Sequence, residues 1–212
     1  DGYASAQYAY IENFVGITHQ GNLNEVGWTG SSINIGQVQD PPNSNSPWHD
    51  LVGTPDGDNW HAAKYVAGVS GRLWLETSEF TIQAANRVGT QFAVDFASKG
   101  AYNTSKGLRW IAKVNGNKYV TDEFGLVNHG SMSENAVIEW EPGGETLNVE
   151  TADWYLWTGG DPDTQPLGSS VSLPSGNITT FGLYLDNSNN SDAWAIDNFR
   201  VSFEDFISCS EC

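Results

Sequence analysis

The sequence predicts an all-β protein, folded as a two-sheet antiparallel β-sandwich. Three observations lead there. From Leu73 onward, apolar and polar residues alternate with the period of two that a half-buried strand requires. Clusters of Gly, Asn, Asp and Pro interrupt these runs at short spacing, the signature of many short strands joined by turns. The composition agrees, with 23 glycines, nine tryptophans and 17% charged residues. A helical bundle needs far more Leu, Ala, Glu and Lys than this.

Tyr8 to Val15 is a candidate first strand, and Gly27 to Gly36 holds a second around Trp28, Ile33 and Ile35. Residues 37–60 read as a long loop, with Pro41-Pro42 and the turn Pro55-Asp56-Gly57-Asp58, and a helical turn is expected near Asn59–Val66. The later strand candidates are Gly71–Ser78, Thr90–Ser98, Leu108–Val114, Asn117–Glu123, Ala136–Glu141, Leu147–Val149, Thr180–Asp186 and Ala193–Phe203. Asn115-Gly116 between two of them is a type I′ hairpin signal. No fixed-period repeat and no linker-like shift divides the 212 residues. Residues 1–207 therefore read as one domain, and 208–212 as a tail.

Alternation sorts the strands into two faces. Leu73 and Leu75, Phe92, Val94 and Phe96, Leu108, Trp110, Ala112 and Val114, Ile138 and Trp140, and Leu183 and Leu185 form the expected core set. The opposite parity carries Trp74, Glu76, Asp95, Arg109, Lys113, Glu139, Tyr184 and Asp186. A solvated face normally carries charges with Ser and Thr, so large aromatics among charges mark this set as a candidate binding face. The competing reading is that a loop buries Trp74 and Tyr184.

Nine basic residues against 26 acidic ones give a formal charge of −17. Such a field repels phosphate backbones and anionic lipid surfaces, so neither nucleic acid nor membrane insertion is expected. No apolar run approaches the roughly 20 residues needed to span a bilayer. The chain lacks an initiating Met and a signal peptide and reads as a mature or trimmed secreted chain, expected to be part of a larger one. Sequons at Asn103, Asn177 and Asn189 are compatible with secretion. Cys209 and Cys212, the only cysteines, form a CxxC in the tail. Without a second pair they do not make a four-ligand metal site, and a local disulfide, free thiols or a linker remnant is the simpler reading.

Tyr10-Ile11-Glu12-Asn13-Phe14 followed by Gly27-Trp28-Thr29 opens the chain. Gly182-Leu183-Tyr184-Leu185-Asp186-Asn187 and then Trp194-Ala195-Ile196-Asp197-Asn198-Phe199-Arg200-Val201 close it. An opening "E-x-F … GWT" with a closing "I-D-N-F-x-V" resembles the β-jelly-roll domains of carbohydrate-binding-module type found in secreted bacterial polysaccharide-degrading enzymes and adhesins. The resemblance implies paired first and last strands, pinned by a structural calcium. Carried across, Glu12 and Asp197 would be acidic ligands, with Asp58 or a carbonyl from its turn added.

For enzymatic chemistry, His19, His49, His61 and His129 lack metal-ligand spacing, and no G-x-S-x-G elbow or phosphate-binding glycine loop is present. A jelly-roll glycoside hydrolase or polysaccharide lyase would need paired carboxylates, for which Glu76, Asp95, Glu139 and Asp186 are the candidates. Binding is the better-supported expectation. A pyranose has an apolar C–H face that a flat ring matches while polar neighbours take the hydroxyls. Trp74 and Tyr184 on strands, and Trp154 and Trp157 at a loop tip, are the stacking candidates, whereas Trp28, Trp110, Trp140 and Trp194 read as packing. The expectation is thus a non-catalytic, calcium-stabilised polysaccharide-binding module, with a structural spacer or adhesin module as the third reading.

Overall fold

The computed structural model describes residues 8–12, 27–30, 36–39, 60–64, 72–78, 80–99, 106–127, 143–160, 162, 166–186 and 193–203. Within them the strands are β1 (Tyr8–Glu12), β2 (Trp28–Gly30), β3 (Gly36–Gln39), β4 (Trp60–Lys64), β5 (Arg72–Thr77), β6 (Gln91–Lys99) and β7 (Lys106–Val114), then β8 (Asn117–Thr121), β9 (Phe124–Val127), β10 (Glu145–Asn148), β11 (Trp154–Trp157), β12 (Ile178–Asp186) and β13 (Ala193–Ser202). Among the described residues the only helical element is one 3-10 turn, Ala84–Asn86. The protein is an antiparallel β-sandwich.

One sheet has six strands in the order β10-β6-β13-β4-β3, with β1 also on β13. The other has seven in the order β11-β8-β7-β12-β5-β2, with β9 on β7. The last strand is shared along its length. Its first half pairs with β4 and its second half with β1, so the first and last strands lie together. The hairpin from β7 to β8 turns at Asn115 and Gly116, whose φ values of 51° and 82° are those of a type I′ turn. Asn and Gly are the residues that tolerate this conformation, and its twist matches the flanking strands.

The expected core parity holds wherever the side chains are described. Phe92, Val94, Phe96, Leu108, Trp110, Ala112, Val114 and Leu183 all pack in one buried cluster with Trp28, Ile82, Phe181, Phe199 and Val201. Its centre is aromatic. Phe181 and Phe199, from opposite sheets, lie 5.6 Å apart at 15°, and Trp110 lies 4.9 Å from Phe124 at 22°. Each such ring pair adds about 1 kcal/mol beyond the area it buries. Trp28 Nε1 donates to the Tyr10 hydroxyl at 2.8 Å, which ties β1 to β2 across the two sheets and satisfies the buried indole.

Three expected elements differ. Gly36–Gln39 is a strand where the loop 37–60 was expected to begin, and Trp60–Lys64 pairs with β13 and β3 where a helical turn was expected. Pairing partners far along the chain decide a five-residue segment with two alanines, because its own propensity is weak. Trp154–Trp157 is not a loop tip but strand β11, paired with β8. The candidate strand Ala136–Glu141 lies outside the described residues, as do Glu139, Asp58 and the CxxC tail.

Candidate functional site

Register arranges the outer face of the seven-stranded sheet into rows. One row runs Tyr155, Val120, Ile111, Gly182 and Glu76 across β11, β8, β7, β12 and β5. A neighbouring row holds Trp157, Lys118, Lys113 and Thr180. On the other side, Arg109 is paired with Tyr184, and Tyr184 with Trp74. Gly182 contributes no side chain at the middle of this grid. Across the space it leaves, Lys118 Nζ donates to Glu76 Oε1 at 2.6 Å. The same ammonium lies 5.8 Å from the centre of the Trp157 ring. Glu76 Oε2 and Thr180 Oγ1 are both buried without a hydrogen-bond partner.

A second, smaller apolar cluster supports this grid from the same side. Ile111, Val120, Trp157 and Tyr184 form it, with Tyr155 and Leu167 against them. Trp157 meets Tyr184 edge-on at 5.9 Å and donates its Nε1 to Gly160 O at 3.3 Å. At the far end, the Tyr155 hydroxyl donates to Asp122 Oδ2 at 3.1 Å. Desolvation and the adjacent Asp122 carboxylate hold the Tyr155 phenol above its ordinary pKa.

The outer face of the six-stranded sheet is organised differently. Asp95 accepts from Arg200 Nη1 and Nη2, each at 3.0 Å, and from Asn198 Nδ2 at 3.1 Å. The bulge in β13 between Asp197 and Arg200 places Asn198 at a φ of 49°, and the Asn198 amide donates to Asp197 Oδ1 at 2.7 Å. Gly144, at a φ of 61°, backs the pair, since a Cβ there would lie 2.7 Å from Asp95 Oδ1 and collide with the Val94 carbonyl.

The expected site residues therefore divide. Glu76, Arg109, Lys113 and Tyr184 share the outer face of the seven-stranded sheet, and Trp74 and Asp186 hold register positions in it opposite Tyr184 and Arg72. Asp95 does not join them, because β6 belongs to the six-stranded sheet. It cannot pair with Glu76 across a cleft, so that two-carboxylate arrangement is removed. Tyr184 is wholly buried and Trp157 is 6% exposed, so neither offers an open ring face for stacking. Tyr184 is buried, as the competing reading had it, in a cluster with Ile111, Val120 and Trp157 against which Tyr155 and Leu167 pack. Trp154 is wholly buried between the sheets, its Nε1 donating to Val149 O at 3.0 Å. It is a core residue, as Trp28 and Trp110 were expected to be and are. Arg109 is also buried and donates to Thr121 O at 2.8 Å, with Glu123 at 3.5 Å. Sequence reasoning missed Lys118 and Thr180. Alternation along β8 and β12 marks both as outward, but no local signal tells that they border a glycine gap.

Of the calcium candidates, Glu12 stands opposite Phe199 in the pairing of β1 with β13, two residues from Asp197. Asp197 is wholly buried at the bulge. The two carboxylates thus come from the paired terminal strands and supply the hard oxygens calcium prefers. Among the described residues no group of three acidic, His or Cys side chains is gathered around one point.

No family model matches the chain, and no curated protein does. Solved structures do match it. A CBM22-1 xylan-binding domain from Paenibacillus barcinonensis shares 11% identity over 95% of this chain and 97% of its own, at a TM-score of 0.42. The family 11 carbohydrate-binding module of a cellulosomal cellulase from Clostridium thermocellum shares 13% over 95% and 96%, at 0.45. The K2 cleaved adhesin domain of Lys-gingipain shares 12% over 91% and 97%, at 0.47. A GH51 α-L-arabinofuranosidase also matches, with this chain spanning 25% of its length. The sandwich assignment itself stands on the strand registers above.

Proposed function

We propose that the chain is a non-catalytic polysaccharide-binding module of a secreted, larger protein, and that its binding surface is the outer face of the seven-stranded sheet around Gly182. The observation that carries this reading is the pair of buried oxygens, Glu76 Oε2 and Thr180 Oγ1, left without protein partners on that one face. Buried polar groups in native proteins are nearly always bonded, so a cluster of exceptions calls for a partner outside the chain. Sugar hydroxyls donate and accept, which suits a carboxylate oxygen beside a hydroxyl. Access requires the Lys118 side chain to swing aside, and its 29% exposure and long stem make that inexpensive. Trp74, in register with Tyr184, is the aromatic assigned to stack on the ring. Trp157 and Tyr184 act beneath the surface, holding Lys118 and β12 in place.

Calcium, in this reading, stabilises the fold through Glu12, Asp197 and Asp58. The support is the donor chemistry together with the pairing of β1 and β13 near the Asn198 bulge. Retention on insoluble and soluble polysaccharides in affinity electrophoresis tests the function. Glu76→Gln should weaken retention with melting unchanged, and release of reducing ends or unsaturated products should stay at background. Turnover that disappears in Glu76→Gln would instead favour the hydrolase or lyase reading.

A further inference from the structure

The row Trp157, Lys118, Lys113, Thr180 contains an anomaly. Lys113 and Lys118 are directly opposed across β7 and β8. Like charges in that position destabilise a sheet. Lys118 is compensated by Glu76. Lys113 is not: it is half-buried, and among the described residues no carboxylate forms an ion pair with it. Its neighbour in register on the other side is Thr180, whose hydroxyl, like Glu76 Oε2 on the same face, is buried without a hydrogen-bond partner.

Basic residues are scarce in this chain, nine in 212. Four of them, Arg72, Arg109, Lys113 and Lys118, occupy this sheet at the alternation shared with Glu76 and Tyr184. The net charge of −17 does not cancel them at a distance, since physiological salt screens beyond about 8 Å. Arg109 has Glu123 at 3.5 Å and Lys118 has Glu76 at 2.6 Å. Asp122 lies just past the end of β8, four residues from Lys118, about 13 Å of extended chain, and is engaged by Tyr155. Of Arg109, Lys113 and Lys118, Lys113 is therefore the one without a compensating carboxylate among the described residues.

We infer that the polysaccharide bound here is anionic, with a carboxylate or sulfate on the sugar ring that pairs with Lys113 while Thr180 Oγ1 bonds an adjacent ring oxygen or hydroxyl. The inference rests on the outer face being the binding surface and adds the class of sugar that it selects. An ammonium–carboxylate bond formed beside a buried hydroxyl is charge-assisted and partly desolvated, so it contributes more than an exposed ion pair.

The test compares polygalacturonate with its fully methyl-esterified form, at one fixed calcium concentration, by isothermal titration with the whole chain. A sulfated galactan and a neutral β-glucan complete the set. The expected result is binding to the acid form on the order of tenfold tighter than to the ester, weakening as salt rises. Lys113→Gln should abolish that preference while melting like the parent, and Lys113→Arg should keep it. Lys113-dependent binding of the sulfated polymer alone would also support the anionic class and identify the group as sulfate. Equal affinity for acid and ester, or an unchanged preference in Lys113→Gln, overturns the inference. If the ester and glucan are still bound, and less tightly by Glu76→Gln, the polysaccharide reading survives that result. If no polymer is bound, both fall.

Discussion

Each outer face of the sandwich carries a carboxylate beside a cation, yet the two are built to different ends. On the six-stranded sheet Asp95 receives both guanidinium nitrogens of Arg200 and the Asn198 amide, so both its oxygens are occupied. On the seven-stranded sheet Glu76 receives Lys118 on one oxygen and nothing on the other. A saturated network fixes backbone, here the left-handed Asn198 in a strand that links β6, β4 and β1. An unsaturated one leaves bonding capacity for something outside the chain. The difference teaches that satisfaction of the acid, more than its burial, separates a structural carboxylate from a candidate binding one. Side-chain exposures of 15% for Asp95 and 13% for Glu76 do not tell them apart.

The sharpest way to break the comparison is to remove each acid. Asp95→Ala strands a mostly buried guanidinium and releases the bulge, and should cost about 3 kcal/mol. Glu76→Gln keeps a hydrogen-bond acceptor for Lys118 and should change stability by under about 1 kcal/mol while weakening polysaccharide binding. Urea unfolding of both variants measures this. A larger loss for Glu76→Gln than for Asp95→Ala would reverse the assignment. Tyr184→Ala belongs with the structural group, because a wholly buried ring on the outer face leaves a cavity worth about 3 kcal/mol.

The proposed calcium is next in expected size. A ligand that binds only the native chain at a hundred times its dissociation constant adds about 2.7 kcal/mol. Melting should rise in calcium relative to chelator, and Asp197→Ala should erase the difference. Identical melting of the parent in both conditions would remove calcium from the account. Trp74→Ala, by contrast, should melt near the parent and bind polysaccharide about tenfold more weakly, the loss of roughly 1.4 kcal/mol of stacking. Normal binding by Trp74→Ala would move the stacking aromatic elsewhere.

The sheet architecture was legible because alternation is a local property. Phe92, Val94 and Phe96, or Leu108 to Val114, declare their buried side within a few residues, and Asn115-Gly116 declares its turn. Which sheet a strand joins is not local. Asp95 and Arg109 have the same parity relative to their own core residues, yet β6 and β7 belong to different sheets, and their outer faces look in opposite directions. Nor does a four-residue strand such as Trp-Tyr-Leu-Trp announce itself between turn residues. Trp154 and Trp157 look like exposed loop aromatics until β8 is placed beside them. The candidate site was half visible for the same reason. Glu76, Lys113 and Tyr184 were marked as outward by alternation, whereas the gap at Gly182 and the Lys118 bridge across it depend on four strands meeting in register.

Glu145 sharpens the contrast by the smallest expected effect. It pairs with Val94 at the edge of the six-stranded sheet, in the alternation of Leu147, which packs against the core. Asp95, the next residue along β6, has Arg200, while among the described residues no ion pair compensates Glu145. Desolvation raises its carboxyl pKa above the ordinary 4.5. A raised pKa means that the native state holds this proton more tightly than the unfolded chain does. The group's favourable contribution is therefore present at pH below the ordinary value and is lost as pH rises through the native one. Glu145→Gln, which keeps the shape without the charge, should then melt slightly higher than the parent at pH 7. The gap should close at about pH 4, where the parent's own carboxyl is largely protonated. A variant less stable than the parent at pH 7 would mean that the ionised carboxylate is welcome at this edge, and that having or lacking a partner does not separate the two kinds of acid on this sheet.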